Sequence, residues 1–381
     1  HRGSSAASDV YKRQYLYLIL IIGLSSCGGG DSNQPSITND GYDRGALLVN
    51  LTDNIIIPSF NQFSNELSDL NQSFQTFSSD LSENNLLDLR KKWLDAYLAW
   101  QYVEMFNIGK AEEMYYFQKT NIYPTNAARI ELNVESGTYD LENNSNNFSA
   151  QGLPAIDYML YGIESDSNLV ITKYQSVDGY KYTNYLSSLI NQMISNTNQI
   201  INFWQTERDD FVSSTANTAT SSLNKLTNDF IYYYEKGFRA NKIGIPGGVF
   251  SSVYPDKVEA YYRKNISKKL ALEALKAIKA FYNGESFVDG TSGESLKTYI
   301  DFIVSKNNLS NIYLSQQINE KFNNSEQMLL QLNDNFVEQI NGNLLQFLYT
   351  YDAIQEGVVK LKTDMLSVLS IAVDYVDADG D

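Results

Sequence analysis

From residue 56 onward, apolar side chains recur at alternating steps of four and three. Ile56, Phe60, Phe63, Leu67, Leu70, Phe74 and Phe77 keep that rhythm, which predicts one long bundle helix. Pro58 belongs in the first turn of that helix, where its missing N–H is harmless, or else kinks it. After Ser82 a second stripe runs through Leu86, Leu89, Trp93, Tyr97 and Trp100, and Glu104 continues it. Residues 120–150 hold Pro124, Gly137 and an Asn-rich run from Asn143 to Asn147, and read as a long loop with short structure. Gly152 as cap and Pro154 in the first turn then open a short helix. The next long stripe is Tyr182, Leu186, Leu189, Met193, Ile200 and Trp204.

A second half starts near Asn217, with Leu223, Leu226, Phe230 and Tyr233 on one face. The run Lys242-Ile243-Gly244-Ile245-Pro246-Gly247-Gly248 is expected to break that helix. Ile266, Leu270, Leu275, Ile278 and Phe281 follow, up to an Asn283-Gly284 stop. Later stripes are Leu296, Ile300 and Ile303, then Ile318, Phe322 and Leu329. Leu345, Leu348, Met365, Leu369 and Val373 make the last. No run alternates with period two for long enough to suggest a sheet. The expected fold is all-α: two helical-bundle, four-helix-bundle-like domains packed together, residues 42–210 and 211–381.

The N-terminal region changes the chemistry available. Asp9-Val10-Tyr11-Lys12-Arg13-Gln14 reads like a translated sequencing adapter, so residues 1–14 are set aside from fold reasoning. On that reading His1, the only histidine, goes with them, and imidazole ligation and His-based proton transfer go too. Tyr15 to Leu24 is apolar but too short to span a bilayer. Leu24-Ser25-Ser26-Cys27-Gly28 resembles a bacterial lipobox, which makes residues 15–26 the remnant of a lipoprotein signal peptide. The other reading is a shortened secretory signal with an incidental cysteine. Cys27 is the only cysteine, so no intramolecular disulfide forms. Acyl chains on Cys27 would hold the protein at a membrane, each buried methylene adding about 0.8 kcal/mol. Gly28 after it resembles the pattern sorted to the outer membrane of Gram-negative bacteria, with residues 27–41 as a polar tether.

Without residues 1–26 the chain keeps 26 basic and 44 acidic side chains, a net charge of −18. Such a surface repels nucleic acid and anionic lipid, which argues against a phosphate-binding role. A hydrophobic content of 43% and 28 tyrosines place the chain among folded proteins.

Gly152-Leu153-Pro154-Ala155-Ile156-Asp157-Tyr158-Met159-Leu160-Tyr161-Gly162 resembles the signature segment of the imelysin family, Gly-x-His-x-x-Glu followed by an apolar run. Pro154 stands at the His position and Asp157 at the Glu position, and proline offers a metal no side-chain lone pair. Trp93 to Gly109 looks like the family's Trp-rich helix and its Glu-aromatic-Gly ending. Lys242 to Gly248 with Val258-Glu259 looks like its second-half turn and Val-Glu pair. The resemblance implies two helical bundles, an envelope location and a link to iron acquisition. The name-giving member was described as a peptidase, although the family shares no established protease machinery.

Three carboxylates are the candidate metal ligands. Glu104 continues an aromatic stripe, and a buried carboxylate needs a partner or a cation; the alternative is a helix-end glutamate that reaches water or a salt bridge. Asp157 lies near a predicted helix start, where the dipole alone favours a carboxylate. Glu259 follows from the resemblance, against a solvated glutamate. Together they would form a hard, all-oxygen site for Ca²⁺, Mg²⁺ or an iron ion. Arg129 and Lys242 are cations able to neutralise them instead. Asp377-Ala378-Asp379-Gly380-Asp381 echoes a calcium loop but reads as an acidic tail. A zinc peptidase needs a His cluster and a serine hydrolase needs a base, so no catalytic residue is assigned. The expectation is an envelope-anchored lipoprotein that binds a metal ion, a metal-bearing ligand or a metal-uptake partner protein. A hydrolase and a ligand-free scaffold are the alternatives.

Overall fold

The computed structural model describes residues 40–286 and 288–374, which lie in one compact unit. Cys27 and Asp377–Asp381 fall outside the described residues. The first helix, α1 (Arg44–Leu51), is capped by the Asp43 carboxylate, which accepts from the Ala46 N–H. It runs through a π turn at Thr52–Ile56 into α2 (Ile57–Ser79), with Pro58 in the first turn of α2. Proline has no N–H to give the carbonyl four residues back, and the helix widens just before it. α3 spans Glu83–Trp100. Residues 120–150 contain a real helix, α4 (Ala127–Ser136), capped by Asn126 and stopped by Gly137 at φ +63°. Its buried apolar stripe is only Ile130 and Val134, too short for periodicity to reveal.

The signature segment forms α5 (Gly152–Asp157) and a π turn, Tyr158–Gly162. α6 (Ser167–Gln175) and the 35-residue α7 (Gly179–Ser213) complete the first half, where α2 packs along both α3 and α7. In the second half, α8 (Ser222–Tyr232) continues into twelve π-helical residues, Tyr233–Gly244. The expected break comes only at the end of its segment, where Gly248 stops a short helix with φ +79°. α9 (Ser267–Asn283), α10 (Leu296–Lys306), α11 (Leu314–Leu330) and α12 (Phe336–Val359) follow. No described residue belongs to an extended strand ladder; Glu285 and Ser292 form an isolated bridge. The fold is all-α, as expected.

Two details depart from the sequence pattern. Leu345 and Val373, expected in the last stripe, are 57% and 44% exposed. Asn343 leaves the helical region inside α12 (φ −152°, ψ 77°), which resets the face so that Phe347, Ile354 and Val358 are buried instead. Second, α1 serves the second half as well as the first. Tyr42 stacks on Tyr299 at 4.4 Å, the Arg44 guanidinium donates to the Tyr299 hydroxyl, and Asn50 donates to the carbonyls of Gly284 and Glu294. Both halves contribute to one continuous apolar core, with Phe106 against Phe281 at 5.6 Å. Among the described residues no helix is long and apolar enough to cross a membrane.

Candidate functional site

Four segments bring polar side chains to one buried point. The turn after α3 carries Gln101 and Glu104, and Asn121 follows the short helix Tyr116–Thr120. The π-helical segment carries Tyr233 and Lys242, and the turn before α9 carries Glu259. Residues nine apart lie on opposite faces of an α-helix, two and a half turns on. At the wider π pitch of about 4.4 residues per turn they return to the same face. The π geometry is therefore what lets Tyr233 and Lys242 address the same carboxylate.

The Lys242 ammonium is 1% exposed and sits between the two glutamates, 2.6 Å from Glu259 Oε2 and 3.6 Å from Glu104 Oε2. It also donates to Gln101 Oε1 at 2.8 Å. The Asn121 amide donates to Glu104 Oε1 at 2.6 Å and to Glu259 Oε1 at 3.0 Å. Its own oxygen accepts from the Tyr97 hydroxyl at 2.6 Å, which fixes the amide's orientation. The Tyr233 hydroxyl donates to Glu104 Oε2 at 3.0 Å. Burial pushes Glu104 above the usual carboxylate range, with Glu259 adding to the rise and Lys242 opposing it. Burial and the two carboxylates hold the phenols of Tyr97, Tyr123 and Tyr233 well above their ordinary value.

Glu104 and Glu259 thus converge on Lys242 and Asn121, while the carboxylate of Asp157 is bonded to a different pair of donors. Asp157 is the sixth residue of α5, beyond the first turn, so the helix start does not explain it. Its carboxylate oxygens accept the backbone N–H groups of Tyr262 and Arg263, both at 2.9 Å. Burial pushes it up to about 7, against the pull of those two donors. Asp157 therefore pins the turn that carries Glu259, a turn in which Ala260 and Lys264 hold φ +55° and +68°. Arg129 stands near Tyr185 instead of the glutamates. Gln101, Asn121, Tyr97 and Tyr233 were not legible as site residues. Tyr97 and Tyr233 sit on apolar stripes, where only a carboxylate partner distinguishes them from core tyrosines.

Beside this network lies a cavity of about 760 Å³, with Glu104 and Tyr233 on its wall and Phe203 and Phe211 among its apolar lining. Glu112, Glu113, Asp229 and Asp374 line it as well, against two lysines, Lys225 and Lys236. Burial, reinforced by Glu112 and Asp374, pushes Asp229 up to about 8.

The residues present do not fit a resident metal ion. Lys242 stands where a cation would bridge the glutamates, Pro154 has no side-chain lone pair to offer, and both oxygens of Asp157 are taken by backbone donors. Among the described residues no group of three or more His, Cys, Asp or Glu side chains is placed to hold a metal.

The family model described as imelysin matches residues 56–360. An imelysin-like protein from Psychrobacter arcticum 273-4 shares the fold with a TM-score of 0.66 at 18% identity, over 87% of this chain and 97% of that one. A putative iron-regulated protein A precursor from Parabacteroides distasonis ATCC 8503 also gives 0.66, at 14% identity, over 87% of this chain and 95% of its own. No curated protein matches the chain.

Proposed function

The chain belongs to the imelysin family, and from that premise we propose that it is a non-enzymatic binding protein of an envelope metal-uptake system. In this reading it is anchored to the outer membrane through a lipidated Cys27 and takes up a metal-bearing ligand rather than a bare ion. The observation that carries the reading is Lys242, whose ammonium already balances the Glu104–Glu259 pair in a buried hydrogen-bond network. A buried ion cluster satisfied from within gains nothing from a further cation. Its carboxylates are engaged by Asn121, Tyr233 and Lys242 instead of being held ready as a base for hydrolysis. The space for cargo is the neighbouring cavity, whose excess of carboxylates favours a ligand of positive or neutral charge and whose aromatic walls suit an organic chelator. The lipobox-like Leu24–Gly28 supports the anchor, and the description of the Parabacteroides structure as an iron-regulated protein A precursor supports the link to iron.

The test is metal analysis of protein purified without chelators or a His tag, followed by titration with a cationic ferric trihydroxamate. Little metal on the isolated protein is expected, with saturable chelate binding that Asp229→Asn and Glu112→Gln weaken together. Stoichiometric metal that disappears in Glu259→Gln would instead mean that the carboxylate pair binds the ion and that Lys242 moves aside.

A further inference from the structure

On this strongly acidic protein one cleft gathers positive charge. It measures about 990 Å³ and is lined by Arg90 and Lys91 of α3, by Tyr161 of the signature segment, and by Arg263 and Lys264 of the turn that Asp157 pins. The Arg90 guanidinium carbon lies 4.3 Å from the Tyr161 ring centre and that of Arg263 lies 5.4 Å from it, so both cations share one ring. Arg90 is buried, yet it has no carboxylate partner among the described residues. It donates to the Leu160 carbonyl and to Ser167 Oγ, which leaves part of its five-donor fork unused. Arg263 and Lys264 have no carboxylate within ion-pair distance among the described residues either, whereas Lys91 is paired with Asp95 at 3.2 Å. Two acids share the cleft, Glu164 and Asp166, and Asp166 is engaged in capping α6 through the N–H groups of Asn168 and Leu169.

Two like charges held together over one ring, one of them out of solvent, are unfavourable unless an anion joins them. Burial, with the neighbouring Arg263 charge adding to it, holds Arg90 below the usual arginine range. The turn is built to keep the arrangement: Asp157 takes the Arg263 N–H itself, and Lys264 keeps a left-handed backbone. We propose that this cleft binds a small oxyanion, a carboxylate or a phosphate, between the guanidinium groups of Arg90 and Arg263. Planar guanidinium forks pair with either group in two-point fashion, and the Tyr161 ring holds both forks in place. The site is separate from the cavity beside Glu104, with which it shares no lining residue.

The experiment is calorimetric titration of the whole protein with inorganic phosphate and, separately, with acetate, at ionic strength held constant with chloride. Saturation at one site per chain is expected for at least one of the two, and the tighter one identifies the anion's class. Arg263→Gln, a change at a partly exposed position, should weaken binding about tenfold or more. Lys92→Gln, whose charge lies outside the cleft and is paired with Asp69 at 2.6 Å, should leave it within about twofold. Should Arg263→Gln fail to fold, Lys264→Gln at the exposed rim should still weaken binding about threefold. Absence of saturation by either anion below about 10 mM overturns the proposal. So does equal binding by a folded Arg263→Gln protein.

Discussion

A carboxylate pair sealed inside a helical protein is costly unless a cation goes in with it, and at the scale of single residues Lys242 is that cation. Its removal leaves Glu104 and Glu259 facing each other with only amide and phenol donors. Lys242→Met is therefore expected to lower the urea-unfolding free energy by about 3–5 kcal/mol. Adding Glu259→Gln removes one of the stranded charges, so the double variant should recover part of that loss. A double variant no more stable than the single one would mean that Lys242 acts by filling space. The sequence marked Glu104 as a carboxylate continuing a buried stripe, and it raised Lys242 as a neutralising cation. It gave no sign of Asn121, whose one amide group donates to both glutamates across sequence gaps of 17 and 138 residues.

At the scale of elements, the start of α5 shows why the signature segment begins with glycine. Gly152 has φ +73°, and a Cβ there would lie 2.2 Å from the carbonyl oxygen of Thr120. Backbone cannot retreat as a flexible side chain can. Gly152→Ala should cost about 3 kcal/mol or more, from left-handed strain and the clash together. Gly137 separates the two terms, since it has φ +63° with nothing within 4 Å of an added Cβ. Gly137→Ala should cost only about 1–2 kcal/mol. Equal losses in the two variants, measured by urea unfolding, would show that close approach to Thr120 is not what glycine serves at 152. Apolar spacing alone assigns Gly152 only a capping role, because no local pattern announces the Thr120 carbonyl that lies over it.

For the whole molecule, buried acids set how stability varies with pH. Asp157 is pushed up to about 7 and Asp229 up to about 8, both through burial first. An unfolded aspartate titrates near about 3.9. Between the unfolded and folded values the native state keeps a proton that the unfolded chain has released, so stability falls as pH rises through that window. Each such group contributes at most about 1.4 kcal/mol per pH unit. The net charge of −16 acts in the same direction, because self-repulsion grows as carboxylates ionise. Urea midpoints at constant ionic strength are thus expected to decline from about pH 5 to about pH 8. Asp157→Asn should flatten the part below about pH 7 and leave the remainder, which Asp229 dominates. A midpoint that rises across this range would contradict the protonated, buried state of both aspartates.

The period-3.6 stripes of the chain were enough to determine an all-α fold, because burying an apolar stripe is a local property of spacing that any helix partner satisfies. They located α2, α3, α7 and α9, and the family resemblance followed from three short motifs in the right order. Register failed at Leu345, where Asn343 resets the helix face. Spacing also could not foresee the π pitch of Tyr233–Gly244, since it assumes the very period that this segment abandons. That pitch decides that Tyr233 and Lys242 share a face, and so only the tertiary structure could put an ammonium between Glu104 and Glu259. The destination of Asp157 was likewise a matter of packing. A carboxylate's partner is whichever donor the fold brings within 3 Å, and here these are two backbone N–H groups more than a hundred residues away.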